Sequence, residues 1–374
     1  MDNGVGVTVG VEEEFHLLNP ATGRLAPGAL PLLAAIKEPA DFGQPGREFQ
    51  QAMIETATPV CHDLGELRAA LVATRSTLIS AADRVGLWVA AAGTVPDCGI
   101  VTAPVYPDNR YRRISDEYRR LAVEQQVCAC QVQVGVPDEE LAFLLIRRIR
   151  GWLPVLLALS TGSPYFQNQD TGYASYRAVV LSRWPTSGPI PLFADRTEYH
   201  RRVDRLIDAG VIGDYGMIYY DVRPSQRYPT LEIRIADACP LLDDVLLVAA
   251  LARALVVTAA EQEERGDPIP DVADELLRGA TWRAARSGLR GKLIDAVAGE
   301  AIASTDLVRR LLTHVMPALK AAGDHQFVLD ALAALSKRGT SAERQRRMLS
   351  SGKGMPKVTA SIVAETRTFP RQPA

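Results

Sequence analysis

Apolar and polar residues alternate along the first segment of the chain. Glu12, Glu14 and His16 share one side of this segment, and the other side is apolar, with Val5, Val7, Val9, Val11, Phe15 and Leu17. Such an alternation predicts a half-buried β-strand whose successive side chains point to opposite faces of a sheet. Glu13 is the exception, because the pattern places it on the apolar side, and a twist or a position near the sheet edge would accommodate it. The strand therefore carries two carboxylates on its polar face.

Four later segments also read as strands. They are residues 52–58, 87–92, 131–136 and 230–237. In three of them polar side chains again share one face. The residues on these faces are Glu55 in segment 52–58, Gln131 and Gln133 in segment 131–136, and Glu232, Arg234 and Ala236 in segment 230–237.

Longer segments with helical periodicity lie between and after the strands. Helices are predicted over 64–85 and over 139–160, the second capped by Asp138 and kinked at Pro154. From Leu241 onward the chain reads as helices, at about 241–264, 270–287, 305–322 and 326–337, followed by a basic segment. Strands separated by helices without a βαβ rhythm predict an α+β fold in which the polar face of the sheet lines a cleft.

The organisation of the chain predicts a single catalytic domain. A large antiparallel sheet wrapped by helices can reach 374 residues as one unit, and no internal repeat or low-complexity linker interrupts the sequence. We expect this domain to cover residues 1–365, sheet-rich over 1–240 and helical over 241–365. Residues 366–374, with two prolines, are predicted to form a flexible tail.

Composition and charge exclude several classes of protein. The 42 basic and 44 acidic residues give a formal net charge of −2, without the positive surplus of a general nucleic-acid or anionic-membrane binder. The most apolar run, 151–162, is shorter than the roughly 20 residues of a membrane span, and the N-terminus does not resemble a signal peptide. Five scattered cysteines are too few for a disulfide framework and are predicted to be free buried thiols. We therefore expect a cytoplasmic protein that binds neither nucleic acid nor membrane.

The glutamates on the predicted polar faces are the first candidates for chemistry. Carboxylates that share a cleft repel one another in low dielectric unless cations compensate their charge. Carboxylate oxygens are the preferred ligands of Mg²⁺ and suit Mn²⁺, and Mg²⁺ often also holds nucleotide phosphates. The alternative is an acidic sheet face exposed to solvent, since periodicity alone does not make these strands neighbours. A P-loop, a G-x-G-x-x-G after a strand and a G-x-S-x-G elbow are all absent.

Short blocks in a fixed order resemble the YbdK-type carboxylate-amine ligases, also called type 2 glutamate–cysteine ligases. The first block, residues 9–15, is similar to the family's G-[IV]-E-x-E opening, with Glu12 and Glu14 at the two glutamate positions. The others are residues 54–61, 93–96, 109–111, 131–135, 170–177, 182–185, 221–225, 231–237 and 286–291. Their number and order identify the chain as a member of this family.

The resemblance implies a fold and a chemistry. The fold is similar to that of glutamine synthetase, in which an antiparallel sheet forms a funnel that holds ATP and two or three divalent ions. In that chemistry a substrate carboxylate attacks the γ-phosphorus of ATP to give an acyl phosphate. An amine then displaces phosphate to form an amide. Catalysis of this kind consists mainly of positioning and charge stabilisation.

The resemblance also implies site residues. The Mg²⁺ or Mn²⁺ ligands would be Glu12, Glu14, Glu55 and Glu232, with Glu48 a weaker candidate. Catalytic clamps for phosphate or carboxylate would be Arg234 and Arg177, and ATP and its metals would also contact Arg223, Arg286, Gln131 and Gln133. For each clamping arginine, a salt bridge to a neighbouring Asp or Glu is the alternative.

The chain departs from the family pattern in two blocks, and in one of them it has Thr94-Val95-Pro96 where Thr-His-Pro is common. The family usually has His-Val-His-Val-Gly where this sequence has Gln131-Val132-Gln133-Val134-Gly135, and the first of those histidines looks like a metal ligand in the family. Glutamine offers an amide oxygen to a metal but lacks the imidazole nitrogen. The number of metals and the level of activity are therefore left open.

Three functions fit these observations. The first is an active ligase that joins a small carboxylate, such as glutamate or a related acid, to a small amine with ATP. The second is a nucleotide- or partner-binding protein with an impaired metal site. The third is an amide hydrolase on the same funnel. Apolar helices in the last third fit a core or a homo-oligomer interface equally well.

Overall fold

The computed structural model describes residues 4–36, 45–96, 98–99 and 103–369. Its strands are β1 Val9–Leu18, β2 Pro45–Arg47, β3 Met53–Ala57, β4 Trp88–Ala90, β5 Ala129–Gly135, β6 Tyr165–Phe166, β7 Gln169–Asp170, β8 Ser187–Gly188, β9 Tyr219–Tyr220, β10 Val222–Pro224, β11 Thr230–Asp237, β12 Lys292–Asp295 and β13 Glu300–Ala303. Its helices are α1 Ala29–Ala35, α2 Leu64–Arg84, α3 Asn109–Tyr118, α4 Arg120–Val123, α5 Glu139–Ile149, α6 Leu153–Ser160, α7 Tyr176–Leu181, α8 Arg196–Asp208, α9 Leu242–Glu264, α10 Asp274–Ser287, α11 Ser304–Ala321, α12 His325–Arg338, α13 Ser341–Ser350 and α14 Met355–Thr366.

The main sheet is antiparallel throughout. Its order is β10-β11-β5-β1-β3-β2, and β4 pairs with the far end of β1. The first predicted strand is the central one, since β1 is bonded to β5 over Val9–Glu13 and to β3 over Glu12–His16. The predicted strands are thus neighbours, and the α+β fold with its antiparallel sheet is confirmed.

The apolar face of the sheet packs against the long helix α9. This helix is buried around most of its circumference, and its side chains join one cluster with those of the central strands. The cluster includes Val9 and Val11 from β1, Val132 and Val134 from β5, and Leu231 and Ile233 from β11. Burial of these alternate positions leaves the opposite, polar face of the strands toward a cavity.

Glu13 is explained by a buried ion pair. It lies on the apolar face of the central strand, so the expected position near a sheet edge is wrong. Arg75 of α2, which is fully buried, donates from Nε to Glu13 Oε2 over 3.0 Å and from Nη2 to Glu13 Oε1 over 2.5 Å. The same guanidinium donates to the carbonyl oxygens of Cys239 and Pro240, before α9. One buried cation therefore connects β1, α2 and the turn into α9.

Pro154 marks a break between two helices. The predicted helix over 139–160 is divided into α5 and α6 by a 3₁₀ turn at Arg150–Trp152. Pro154 stands in the first turn of α6, where its missing N–H removes no helical hydrogen bond. Proline therefore begins the second helix instead of bending a continuous one.

The C-terminal segment is helical as far as Thr366. The basic segment after α12 forms α13 and α14, and α14 continues to Thr366, inside the predicted tail. Thr366 Oγ1 accepts from Ala91 N at 3.1 Å, and Arg367 pairs with Asp83 at 2.7 Å. Residues 370–374 lie outside the described residues.

The five cysteines are free and buried, as predicted. Among the described residues, no helix combines the length and the apolar character that crossing a membrane would require.

Candidate active site

The polar face of the main sheet lines a cavity of about 580 Å³. All four glutamates predicted as metal ligands, Glu12, Glu14, Glu55 and Glu232, line it. Pairing of the strands explains why they meet: Glu14 lies opposite Glu55 across β1 and β3, and Glu12 lies opposite Gln131 across β1 and β5. Directly opposite side chains on one face are close neighbours in an antiparallel sheet.

The two glutamines bind the glutamates of the central strand. Gln131 Nε2 donates to Glu14 Oε1 at 2.6 Å, and Gln133 Nε2 donates to Glu12 Oε1 at 3.1 Å. Their amide oxygens accept in turn, from Arg234 for Gln131 and from Thr230 Oγ1 at 2.6 Å for Gln133. Both amides thus belong to a continuous hydrogen-bond network on the cavity floor.

A β-bulge directs Arg234 into the cavity. The register of β11 against β5 shifts between Ile233 and Ala236, so that two residues oppose Gln131. Bulges re-aim side chains and are common beside active sites. The bulge also reverses the alternation beyond it: Ala236, predicted on the polar face, lies opposite Cys130 and joins the apolar cluster.

Glu232 is held between two arginines. Arg223 of β10 donates from Nε to Glu232 Oε2 at 2.9 Å and from Nη2 to Oε1 at 3.2 Å, and Arg234 also pairs with this carboxylate. Burial opposes ionisation of Glu232, but the two guanidinium charges outweigh it and lower its pKa to about 2. The salt-bridge alternative therefore holds for Arg223 and for Arg234 in this structure.

The other carboxylates lack comparable compensation. Burial, and then repulsion by Glu48, Glu12 and Glu14, raises the pKa of Glu55 well above its ordinary value. Burial and the neighbouring Glu14 raise the pKa of Glu48 to about 7, and its carboxylate accepts from Phe49 N at 2.7 Å. Burial is also the largest cause of the raised pKa values of Glu12 and Glu14. This side of the cavity has an excess of buried negative charge.

The donor chemistry fits a divalent cation. Crowded oxygen donors with raised pKa values would gain from a hard cation in their midst. In this structure, no group of three or more His, Cys, Asp or Glu side chains among the described residues is close enough together to hold a metal ion. Amide and guanidinium groups instead bind Glu12, Glu14 and Glu232, so a cation would have to displace some of these contacts.

Arg177 and Arg286 are placed differently from the other predicted residues. Arg177 lines the cavity but donates from its two terminal nitrogens to the carbonyl oxygens of Ile235 and Arg234, at 3.2 and 3.0 Å. It is buried and braces the bulge, 3.8 Å from Asp237. Arg286 is exposed, donates to the Gly172 carbonyl and is not part of the cavity wall. Their catalytic and cofactor-binding roles stay predictions.

Several cavity residues were not assigned a role from the sequence. Arg47, Arg110, Tyr111 and Tyr219 line the cavity, and Arg110 pairs with Asp214 at 2.6 Å. Arg110 and Tyr111 belong to the block at 109–111, which resembles the family pattern. Arg47 carried no comparable signal, because β2 is three residues long and lacks a clear alternation.

In the protein without bound cations, the free energy of unfolding is expected to fall as the pH rises from about 6.5 to 8, above the range in which the lowered pKa values of His16 and His314 act in the opposite direction. Glu48 and Glu55 have raised pKa values in the folded state, so the folded protein binds more protons than the unfolded chain in this window. Each such group costs at most about 1.4 kcal/mol per pH unit. Glu232 does not contribute to this slope, because its pKa is lowered and it is ionised in both the folded and the unfolded state throughout this pH range.

Urea unfolding in EDTA at several pH values measures this slope. Added Mg²⁺ should flatten it, because a cation replaces the bound protons. A stability that increases between pH 6.5 and 8 would contradict the expected charge excess.

Comparison with known proteins identifies the family. The sequence profile described as glutamate–cysteine ligase family 2 matches residues 8–361. The chain belongs to this family. The resemblance to type 2 glutamate–cysteine ligases is therefore confirmed, and the blocks that carried it lie within the matched residues.

Members of family 2 include close relatives of the whole chain. A protein of Salinispora tropica, provisionally named glutamate–cysteine ligase 2, is 44% identical over 366 residues, which is 97% of this chain and 96% of the relative. A Frankia casuarinae protein with a similar provisional name is 43% identical over 97% of this chain, but the match covers 42% of that longer protein.

A solved structure supports the fold. The glutamate–cysteine ligase of Francisella tularensis, determined in complex with AMP, superposes with a TM-score of 0.69 over 97% of this chain and 89% of that chain. The sequence identity is 12%, so the likeness concerns the fold alone.

Proposed function

We propose that the protein is an ATP-dependent ligase that joins the carboxylate of one small molecule to the amine of another. The observation that carries the proposal is the crowding of Glu14, Glu48 and Glu55 on one side of a sheet-lined cavity whose other side carries arginines, in a member of family 2. Such a cavity suits a triphosphate neutralised by divalent cations. The reaction would pass through an acyl phosphate, with ADP and phosphate as the other products.

The carboxylates would hold Mg²⁺ or Mn²⁺ in two groups. Glu14, Glu48 and Glu55 lie on the β1–β3 side of the cavity, and Glu12 and Glu232 lie toward β11. When bound, the cations would neutralise phosphate charge and orient the transferring group. In this proposal, side chains of the protein bind the phosphate groups and fix the geometry of the site.

Arg234 and Arg223 supply fixed positive charge at the β11 side. In the structure both are paired with Glu232. A polyphosphate oxygen that entered would compete for the guanidinium groups, since charge-assisted bonds to phosphate are strong and can be bidentate. Arg177 would act through position, because its contacts with the backbone of β11 fix the segment from which Arg234 projects.

The glutamine network favours one rival function. Gln131 donates to Glu14 and accepts from Arg234, so neither side of its amide is free in this arrangement. A protein in which these contacts persist would hold metal weakly and would bind nucleotide without turning it over. The amide hydrolase has no comparable observation in its favour.

Replacement of both glutamines by histidine is expected to tighten Mn²⁺ binding by about tenfold or more. Imidazole supplies a donor nitrogen that the amide lacks, and the substitution removes the bonds that occupy Glu12 and Glu14. Titration calorimetry of Mn²⁺ against the double variant and the native protein measures the change. Histidine at Gln125, which lines the cavity but bonds Trp184, is a control expected to change little.

The direct test of the function is release of ADP and phosphate. Pooled acids and amines are incubated with ATP and Mg²⁺ or Mn²⁺, and products are weighed by mass spectrometry. Turnover that requires one acid and one amine, with a product equal to their sum less water, supports the ligase. ATP binding without turnover for every pair would favour the binding protein, and amide cleavage without ATP use would favour the hydrolase.

A further inference from the structure

A second cavity, of about 680 Å³, adjoins the carboxylate cavity. The two share Arg177, Leu181, Tyr219 and Arg234 in their walls. The second cavity is enclosed by α7, α10 and the segment that joins β9 to β10. Its volume is in the range that accommodates a drug-sized organic ligand.

The lining of this second cavity is mainly apolar. Tyr220 and Trp282 supply aromatic surface, and aliphatic side chains such as Leu157, Val179 and Ile235 complete it. Trp282 is 47% exposed although it is the largest kind of apolar side chain. Large aromatic groups at the open side of an apolar cavity are typical of sites that bind organic ligands.

One carboxylate in the wall has no hydrogen-bond donor. Asp221 lines the second cavity and is 9% exposed, and within the described parts of the chain no donor contacts its side-chain oxygens. By contrast, the nearby buried Asp237 accepts from Ser163, Ser175 and Gly162. The oxygens of Asp221 remain accessible from the cavity, and a cationic donor there would compensate this largely buried carboxylate best.

Within the described part of the chain, the basic side chain whose charge acts on Asp221 is that of Arg177, and it is already engaged. Arg177 is the charge that opposes the effect of burial on this carboxyl, whose pKa burial raises to about 7. Its terminal nitrogens are bonded to carbonyl oxygens of β11. Arg177 therefore leaves the carboxylate of Asp221 available to a ligand.

We propose that this cavity binds the amine substrate, with the ammonium group on the carboxylate of Asp221 and an apolar body against Trp282 and Tyr220. The inference rests on the proposed ligase function and adds the class of the amine, which is a primary amine with a larger apolar part than cysteine has. The shared wall would place this amine beside the cavity in which the carboxylate is activated.

The test measures binding before turnover. Titration calorimetry uses 2-phenylethylamine and its uncharged analogue 2-phenylethanol as probes, against the native protein and Asp221→Asn. The amine is expected to bind at least about tenfold more tightly than the alcohol, and Asp221→Asn should remove that difference. Trp282→Ala, at a half-exposed position, should weaken the binding of both probes. Asp116→Asn, an exposed aspartate on α3, is the matched control and should change neither.

Turnover then separates this inference from the proposed function. A raised KM for the amine in Asp221→Asn, with the KM for ATP unchanged, supports the assignment. Equal amine affinity in the native protein and in Asp221→Asn overturns the assignment of this cavity to the amine but leaves the proposed ligase function unaffected. A loss of ATP affinity instead of amine affinity assigns the cavity to the nucleotide and overturns the inference. A third outcome is amine binding that depends on Asp221 but no ATP turnover with any pair of acid and amine. That outcome refutes the proposed ligase function, and the second cavity is then not a substrate site.

Discussion

Glu55→Gln is expected to lower ATP turnover about 100- to 1,000-fold while making the protein without metal more stable. The carboxylate of Glu55 is surrounded by Glu48, Glu12 and Glu14, and none of the described residues donates a hydrogen bond to it. Its negative charge is therefore useful only when a cation is bound. Without the cation, a neutral amide of the same shape relieves the repulsion.

Two measurements on the same variant check this expectation. ADP release with saturating ATP reports the loss of turnover, and urea unfolding in EDTA at pH 8 should show a gain of about 1 to 3 kcal/mol. Glu117→Gln, an exposed glutamate on α3, is the control for both. Full turnover in Glu55→Gln would remove this residue from the metal ligands, and lower stability would refute the charge excess.

Arg75→Met is expected to cost about 3–5 kcal/mol of unfolding free energy. The variant leaves the carboxylate of Glu13, which is 2% exposed, buried without its cation, and two carbonyl oxygens of the turn before α9 lose their donor. A buried charge that loses its partner is far more costly than an exposed one.

A second substitution separates charge from packing. Glu13→Leu combined with Arg75→Met removes both charges and should recover much of the loss, since apolar pairs of similar volume often replace buried ion pairs well. Arg367→Met breaks the exposed pair with Asp83 and should cost less than about 1 kcal/mol. Chemical unfolding of the three proteins measures these differences, and a loss in the double variant as large as in Arg75→Met would show that volume, not charge, dominates.

Most of the sheet could be predicted from the sequence because its strands have one apolar and one polar face. Alternation alone placed Glu12, Glu14, Glu55 and Glu232 on polar faces, and the family resemblance supplied the fold that brings them together. Their meeting in one cavity depends on the strand order, which periodicity does not contain.

The features that were missed have physical reasons. The bulge at Arg234 adds a residue without changing the local pattern of residue types, so Ala236 was assigned to the wrong face. The partner of Glu13 lies 62 positions away on another element, where no local rule reaches it. Helix α13 buries Ser341, Ala342 and Gln345 and so lacks a stripe of large apolar residues, although Thr340 and Glu343 form a capping box whose spacing was visible in the sequence.

The strand order also determines how the chain emerges during synthesis. Strand β5 has β1 on one side as soon as Gly135 has been made, but its other neighbour, β11, begins at Thr230. Those about 95 intervening residues take roughly 5 to 20 s to synthesise. During that interval the backbone of β5 presents an open edge, and Val132 and Val134 have not yet acquired α9 as cover. The central strands are therefore open to misassociation in the nascent protein. Synthesis of β11 closes the edge of β5 and completes the lining of the carboxylate cavity, and α9 then covers the apolar face.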